Sequence, residues 1–184
     1  DEKAANTAAL RKSIRKNDNC LSTGFLGAAL LPHTLVSCGL ADVAFDLVLQ
    51  EKYPSWLYSV TQGATTIWEH WNGRTPEGVF VDSSMNSFNH CSYGAVAGFL
   101  LNWLGGIHYT SRKLLLKIIP DRRFSPVRAV YHSPYGRIVS EWEFTQDGIL
   151  HWKVDIPCGI PAVAQLPDGT ERSLSPGHAV LCNE

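Results

Sequence analysis

No apolar run in this sequence reaches the roughly 18 residues that a membrane span requires. The nearest candidate, Phe25 to Val36, is shorter and carries Pro32 and His33. Charge of one sign is not in excess either: 16 Lys and Arg stand against 17 Asp and Glu, for a formal net charge of −1. Nothing therefore suggests an electrostatic grip on nucleic acid or on a membrane surface. Cysteine is sparse, with five residues at 20, 38, 91, 158 and 182. They form no C-x-x-C pair and no Cys/His zinc spacing, so no metal site is expected. An odd count at wide spacing reads as buried free thiols and favours a reducing, cytoplasmic compartment. A G-x-G-x-x-G fingerprint, a P-loop, an H-E-x-x-H pair and a Ser/His/Asp order are all missing, and no cofactor is implied.

What is present is ordinary globular composition, 45% hydrophobic and 18% charged over 184 residues, with a mild excess of tryptophan at six. That length holds one good core or two small ones. The opening DEKAANTAALRKSIRKN reads as a polar amphipathic helix and not as a signal peptide, with Ala5, Ala8, Ala9 and Ile14 on one side. Thr23 is placed to cap a helix running to about Ser37 and stopped by Gly39. Leu40, Val43, Ala44, Leu47 and Val48 keep perfect helical spacing. Pro54 marks the entry to a helix over 55–62. Tyr93, Val96, Ala97, Leu100, Leu101 and Leu104 predict a last helix ended by Gly105 and Gly106.

Beyond about residue 109 the period changes from helix to strand. LLLKIIP reads as one strand. VRAVYHSPYGRIVSEWEF reads as two strands about a turn at 133–136. Asp147-Gly148 and Asp168-Gly169 mark further turns. The reading is an α + β multidomain chain: helices over 1–108, then a small antiparallel β-sandwich over 109–184. Roughly five helices with wide apolar faces cannot close a toroid of paired helices. Their faces need covering, by a small bundle or by more chain.

Two stretches concentrate the chemistry. In GATTIWEHWNG, a single carboxylate, Glu69, lies between Trp68 and Trp71 and beside His70. The bland reading is a solvated acid at a junction. The functional one is an acid or base whose proton affinity is tuned by indole neighbours, as sugar hydrolysis requires of one of its two carboxyls. In MNSFNHCSYG, Asn86, Asn89, His90 and Tyr93 gather hydrogen-bonding groups ahead of the apolar helix. Asn86 or Ser87 also suits a helix cap. His90 reads equally as a satisfied core histidine or as a ring aimed into a cleft. Asp82 and Glu77 are weaker candidates. Glu141 and Glu143 flank Trp142 on a strand and share its solvent side by alternation.

YPSWLYSVTQGATTIWEHWNG followed by MNSFNHCSYGAVAGFLLNWLGGI strongly resembles the bacterial α-L-rhamnosidases of glycoside hydrolase family 78. TGFLGAALLPHTLVSCGLADVAFDLVLQ resembles the preceding helices of that family, and SPYGRIVSEW the opening of its C-terminal β-sandwich. The resemblance spans about residues 20 to 166. It implies helices of an (α/α)6 toroid, a β-sandwich after them, and removal of terminal α-L-rhamnose with inversion. Glu69 matches the general base and His90 a residue that binds the rhamnose ring. Asn89, beside His90, is placed with the substrate-binding side chains. At least one of Trp68 and Trp71 is expected to wall the sugar pocket. In an inverting enzyme the two carboxyls stand roughly 6.5–9.5 Å apart to admit a water.

The resemblance also implies an upstream acidic motif carrying the general acid. Nothing in 1–62 resembles it; Asp18, Asp42 and Asp46 lack the context. The chain therefore reads as the C-terminal portion of a rhamnosidase, acting on rhamnose-containing glycosides and inactive or nearly so as 184 residues. Its partner is then the missing N-terminal part, or a second copy through the exposed helix faces. Two other readings stand beside this one. A truncated, non-catalytic carbohydrate-binding protein would keep half the site. A different (α/α)6 sugar enzyme, such as a lyase, would need a Tyr or His base with cations for uronates, and only Arg74 is close.

Overall fold

The computed structural model describes residues 2–81 and 84–182, so Asp82 lies outside the described residues. The chain forms two compact units, Asp1–Val96 and Ala97–Glu184.

The first unit is helical. Helix α1 spans Glu2–Lys16 and buries only Ile14. The alanines expected to face inward are exposed, and the stripe turned toward the protein is Thr7, Leu10, Arg11 and Ile14. Those residues share the same i, i+3, i+4, i+7 geometry and bury more area than alanine methyls. Helix α2 spans Phe25–Ser37. Its N-cap is Gly24 and not Thr23, with no side-chain cap bond. Its C-terminus closes as the sequence suggests: Gly39 sits at φ +76, and the amides of Gly39 and Leu40 donate to the carbonyls of Val36 and Leu35. Only glycine takes that left-handed position cheaply. Helix α3, Ala41–Val48, packs on α2 and buries Val43, Ala44, Phe45, Leu47 and Val48. Helix α4, Trp56–Thr61, is capped by Ser55, whose buried hydroxyl accepts from the Tyr58 amide at 3.0 Å.

The helix expected over 93–104 is not regular. A 3-10 turn, Ser92–Ala95, passes into one α turn, Val96–Phe99, and then into a π turn, Leu100–Leu104. The π turn ends with the Gly105 amide donating to the Leu100 carbonyl at 2.8 Å. Gly94 and Gly98 lie within this segment and lower its intrinsic preference for a regular α-helix.

The second unit begins within this irregular helical segment and holds the β-sandwich. One sheet has the order β1-β2-β6-β7, from Ile107–Tyr109, Leu114–Lys117, Ala162–Gln165 and Glu171–Leu174. The other has the order β3-β4-β5-β8, from Val127–Ser133, Gly136–Phe144, Leu150–Ile156 and Gly177–Cys182. Pairing is antiparallel except for β2 with β6, which is parallel because the β3–β5 meander intervenes between them. Alternation fixes the buried faces: Leu114 and Leu116 on β2, and Leu150, Trp152, Val154 and Ile156 on β5. The indole N–H groups of two core tryptophans are satisfied. Trp142 donates to the Leu104 carbonyl at 2.7 Å and Trp152 to the Ser140 hydroxyl at 2.9 Å. Glu141 pairs with Arg128 across β3 and β4, and Glu143 is exposed.

The thiols correct the sequence reading. Cys20 is buried, and burial, with Asp18 adding to it, raises its pKa. Cys91 and Cys158 are exposed.

Candidate active site

The two motif stretches lie side by side in the helical unit. The Glu69 amide donates to the Ser87 carbonyl at 2.9 Å, and the His90 amide donates to the Ile67 carbonyl at 2.8 Å. The Thr66 hydroxyl donates to the Phe88 carbonyl. In a regular antiparallel pair the second bond would come from residue 89. Its origin at 90 leaves one extra residue on that side, as in a bulge, which turns the chain toward the following 3-10 turn. The predicted cap role for Asn86 or Ser87 is not adopted. Asn86 Nδ2 donates to the Val81 carbonyl at 2.9 Å, and the Ser87 hydroxyl accepts from the Asn89 amide at 3.2 Å.

The loop between the stretches is built to bring them together. Thr75 and Gly78 close a turn, with the Gly78 amide donating to the Thr75 carbonyl at 2.9 Å and Gly78 at φ +83. The Thr75 amide donates to the Val79 carbonyl and the Val81 amide to the Gly73 carbonyl. Arg74 is committed to this loop: Nε donates to the Gly78 carbonyl at 2.9 Å, and the guanidinium lies over the Phe80 ring. Gly73 is required for packing. A Cβ there would stand 2.9 Å from Trp68 Cε3 and 3.0 Å from Phe88 Cε1.

Glu69 is half-buried, and one carboxylate oxygen is already held: Oε2 accepts from the Ser87 amide at 2.8 Å. Among the described residues Oε1 has no hydrogen-bond partner. The group is thus oriented by backbone, with one oxygen free to take a proton.

The two tryptophans are not equivalent. Trp68 is buried edge-on against Phe88, with ring centres 5.3 Å apart. Trp71 is half-buried, stacked on Tyr93 at 3.5 Å and 26°, edge-on to Trp56, and donates Nε1–H to the Thr23 carbonyl at 3.1 Å. Trp56 in turn donates to the Tyr93 carbonyl at 2.9 Å. Burial raises the Tyr93 hydroxyl pKa, and Tyr53 adds to the effect. His90 is half-buried and stacked on Phe25. Asn89 and His70 are exposed, and His70 Nε2 lies 3.2 Å from the Met85 carbonyl.

Sequence reasoning missed the part played by Thr23 to Phe25. This entry to α2 lies some 45 positions before Glu69 and is joined to the motif only in space. The single signal available was the aromatic Phe25 at the first position of a helix whose next six residues are aliphatic or glycine.

Helices joined to a held carboxylate, with a β-sandwich following, fit a glycosidase class that comparison with known proteins identifies. Residues 1–104 match the family described as the bacterial alpha-L-rhamnosidase 6 hairpin glycosidase domain. Residues 111–180 match the bacterial alpha-L-rhamnosidase C-terminal domain. The chain belongs to the bacterial α-L-rhamnosidase family.

An α-L-rhamnosidase of Formosa agariphila is 36% identical over 168 residues, covering 90% of this chain and 18% of that protein. One of Streptomyces avermitilis is 34% identical over 151 residues, covering 80% of this chain and 14% of that protein. Among solved structures, a native α-L-rhamnosidase from Aspergillus terreus superposes with a TM-score of 0.92 at 28% identity, over 97% of this chain and 21% of that one. The Streptomyces avermitilis enzyme complexed with L-rhamnose superposes with a TM-score of 0.83 at 32% identity, over 97% of this chain and 18% of that one. The chain therefore spans about a fifth or less of the length of these relatives.

Proposed function

We propose that the chain is the C-terminal part of an inverting α-L-rhamnosidase and that Glu69 is its general base. The observation that carries this is the fixed carboxylate: Oε2 is occupied by the Ser87 amide, while Oε1 has no hydrogen-bond partner among the described residues. In the reaction, a water oxygen attacks the anomeric carbon of a terminal α-L-rhamnoside. Its proton passes to Oε1, and the bond to the glycosidic oxygen breaks. That leaving oxygen takes a proton from a general acid on the other face of the sugar. The tie to Ser87 keeps the base at a constant distance from the sugar, so that a water fits between.

His90 and Asn89 contribute hydrogen bonds to the sugar ring, and half-buried Trp71 borders its apolar C–H face. Buried Trp68 acts from beneath, holding the backbone at Glu69. The general acid is supplied from outside these motifs. Asp42 is engaged by Arg11 at 3.2 Å, and Asp18 lies in the turn after α1 at φ +53. The exposed pair Leu26 and Leu30, four residues apart on α2, is the face that the remaining hairpins of the toroid, or a second copy, would cover.

Two observations weigh against a uronate lyase. Arg74 is engaged by its own loop, and the Tyr93 hydroxyl is pushed toward its protonated form. The truncated, carbohydrate-binding reading keeps the same residues without turnover.

The test is nitrophenol release from an aryl α-L-rhamnoside. It should be run on the 184-residue chain and on a chimera in which this chain replaces the matching segment of the Formosa agariphila relative. The chain alone should be inactive and the chimera active. Glu69→Gln in the chimera should lower kcat by roughly 10²–10⁴-fold. Turnover by the 184-residue chain would show that a general acid lies within it, with Asp82 first to substitute.

A further inference from the structure

Resting on the proposed sugar role of His90, we propose that Phe25 is a positioning residue that presents His90 Nε2–H as a hydrogen-bond donor to the sugar. The ring of Phe25 lies parallel to the imidazole, with centres 4.9 Å apart at 23°. It is also edge-on to Tyr93 at 4.9 Å and 61°, so the aromatic cluster continues from Trp56 through Trp71, Tyr93 and Phe25 to His90. The backbone just before Phe25 is fixed as well, because the Thr23 carbonyl accepts Trp71 Nε1–H.

An imidazole on a flexible χ2 has two ring flips of similar energy. The stack on Phe25 sets the plane of the ring but not the flip. The flip is set by the Ser92 amide, which donates to His90 Nδ1 at 3.4 Å. Since Nδ1 accepts, the neutral ring carries its proton on Nε2. Nε2 has no partner among the described residues. Plane, flip and tautomer are therefore fixed before any sugar arrives, and one N–H is left to meet a hydroxyl oxygen. Phe25 itself stays 37% exposed, which suits a ring that borders a binding site more than one that fills a core.

The test is ¹⁵N-histidine NMR of the 184-residue chain, with His90 assigned through His90→Gln. The wild type should show the Nε2–H tautomer, with ring protons shifted upfield by the face of Phe25. Phe25→Ala should lose the upfield shift and, because the ring plane is then no longer held in line with the Ser92 amide, mix the tautomers, while Phe25→Tyr should retain both. An Nδ1–H tautomer, unshifted ring protons in the wild type, or no change in Phe25→Ala would each overturn the proposal. If the alanine variant does not fold, the wild-type and tyrosine spectra still decide.

In the active chimera, Phe25→Ala should raise KM roughly three- to tenfold, as loss of one well-placed hydrogen bond does, with kcat nearly unchanged. Phe25→Tyr should stay near wild type. Adding His90→Ala to Phe25→Ala should bring little further change. If His90→Ala alone leaves KM unchanged while the NMR signature holds, the sugar role of His90 fails and the positioning by Phe25 stands.

Discussion

Gly73→Ala is the most revealing single change in the helical unit. The new methyl would lie 2.9 Å from Trp68 Cε3, 3.3 Å from Trp68 Cδ2 and 3.0 Å from Phe88 Cε1. Ordinary carbon contacts are about 3.5–4.0 Å, so both rings must retreat by roughly half an ångström or more. Neither is the loose end of a flexible chain. Trp68 is buried, and the two rings brace each other edge to face. Overpacking of this kind costs about 1–3 kcal/mol. Gly73 has no left-handed φ, so the whole cost is steric. Urea unfolding followed by far-ultraviolet circular dichroism measures it. Phe88→Leu removes one of the two clashes, and the double variant should recover about 1 kcal/mol relative to the sum of the singles. Because Trp68 precedes Glu69, the same change in the active chimera should lower kcat. A Gly73→Ala cost under about 0.5 kcal/mol, additive with Phe88→Leu, would refute the close-packed junction argued here.

Other outcomes follow from single contacts. Ser55→Ala removes the cap of α4 from a fully buried site and should cost about 1 kcal/mol, seen as faster amide exchange at Tyr58. Ser140→Ala strands the buried Trp152 indole N–H and should cost about 1–3 kcal/mol by urea unfolding, while Ser140→Thr keeps the acceptor. Burial lowers the pKa of His33 below its ordinary 6.5. The unfolded chain then binds the proton more readily than the folded one. The contribution of His33 to stability is full above 6.5 and falls as pH drops toward the lower folded value. A His33→Gln variant should flatten that part of the stability–pH curve.

Local rules carried much of this fold. The spacing of Val43, Ala44, Leu47 and Val48 produced α3 as expected, and Gly39 stopped α2 through its left-handed backbone. The turns at 133–136, Asp147-Gly148 and Asp168-Gly169 each join the strands that their sequences suggest. Short β1 and β8 were not foreseen, because β1 has only three residues and the Gly177–Cys182 run mixes glycine, histidine and apolar residues with little alternation. The segment 92–104 keeps helical spacing in its side chains, yet its backbone changes pitch twice, which a periodicity count cannot register. At the site, the two motifs were legible and their tie was not. The bonds between 67–69 and 87–90 join irregular backbone across a loop, where no hydrophobic period announces pairing. The unequal fates of Trp68 and Trp71 likewise depend on Gly73, Phe88 and Tyr93, residues brought near by folding.

The assignment of Glu69 is tested most directly by the stereochemistry and rescue of the chimeric enzyme. Proton NMR of the first-formed product should show β-L-rhamnose released from an α-L-rhamnoside. Glu69→Gln should slow that release by roughly 10²–10⁴-fold, and added azide should restore turnover as β-L-rhamnosyl azide, since azide needs no base. First-formed α-L-rhamnose, or a Glu69→Gln enzyme that keeps wild-type kcat, would contradict the role of Glu69 as the base of an inverting hydrolase.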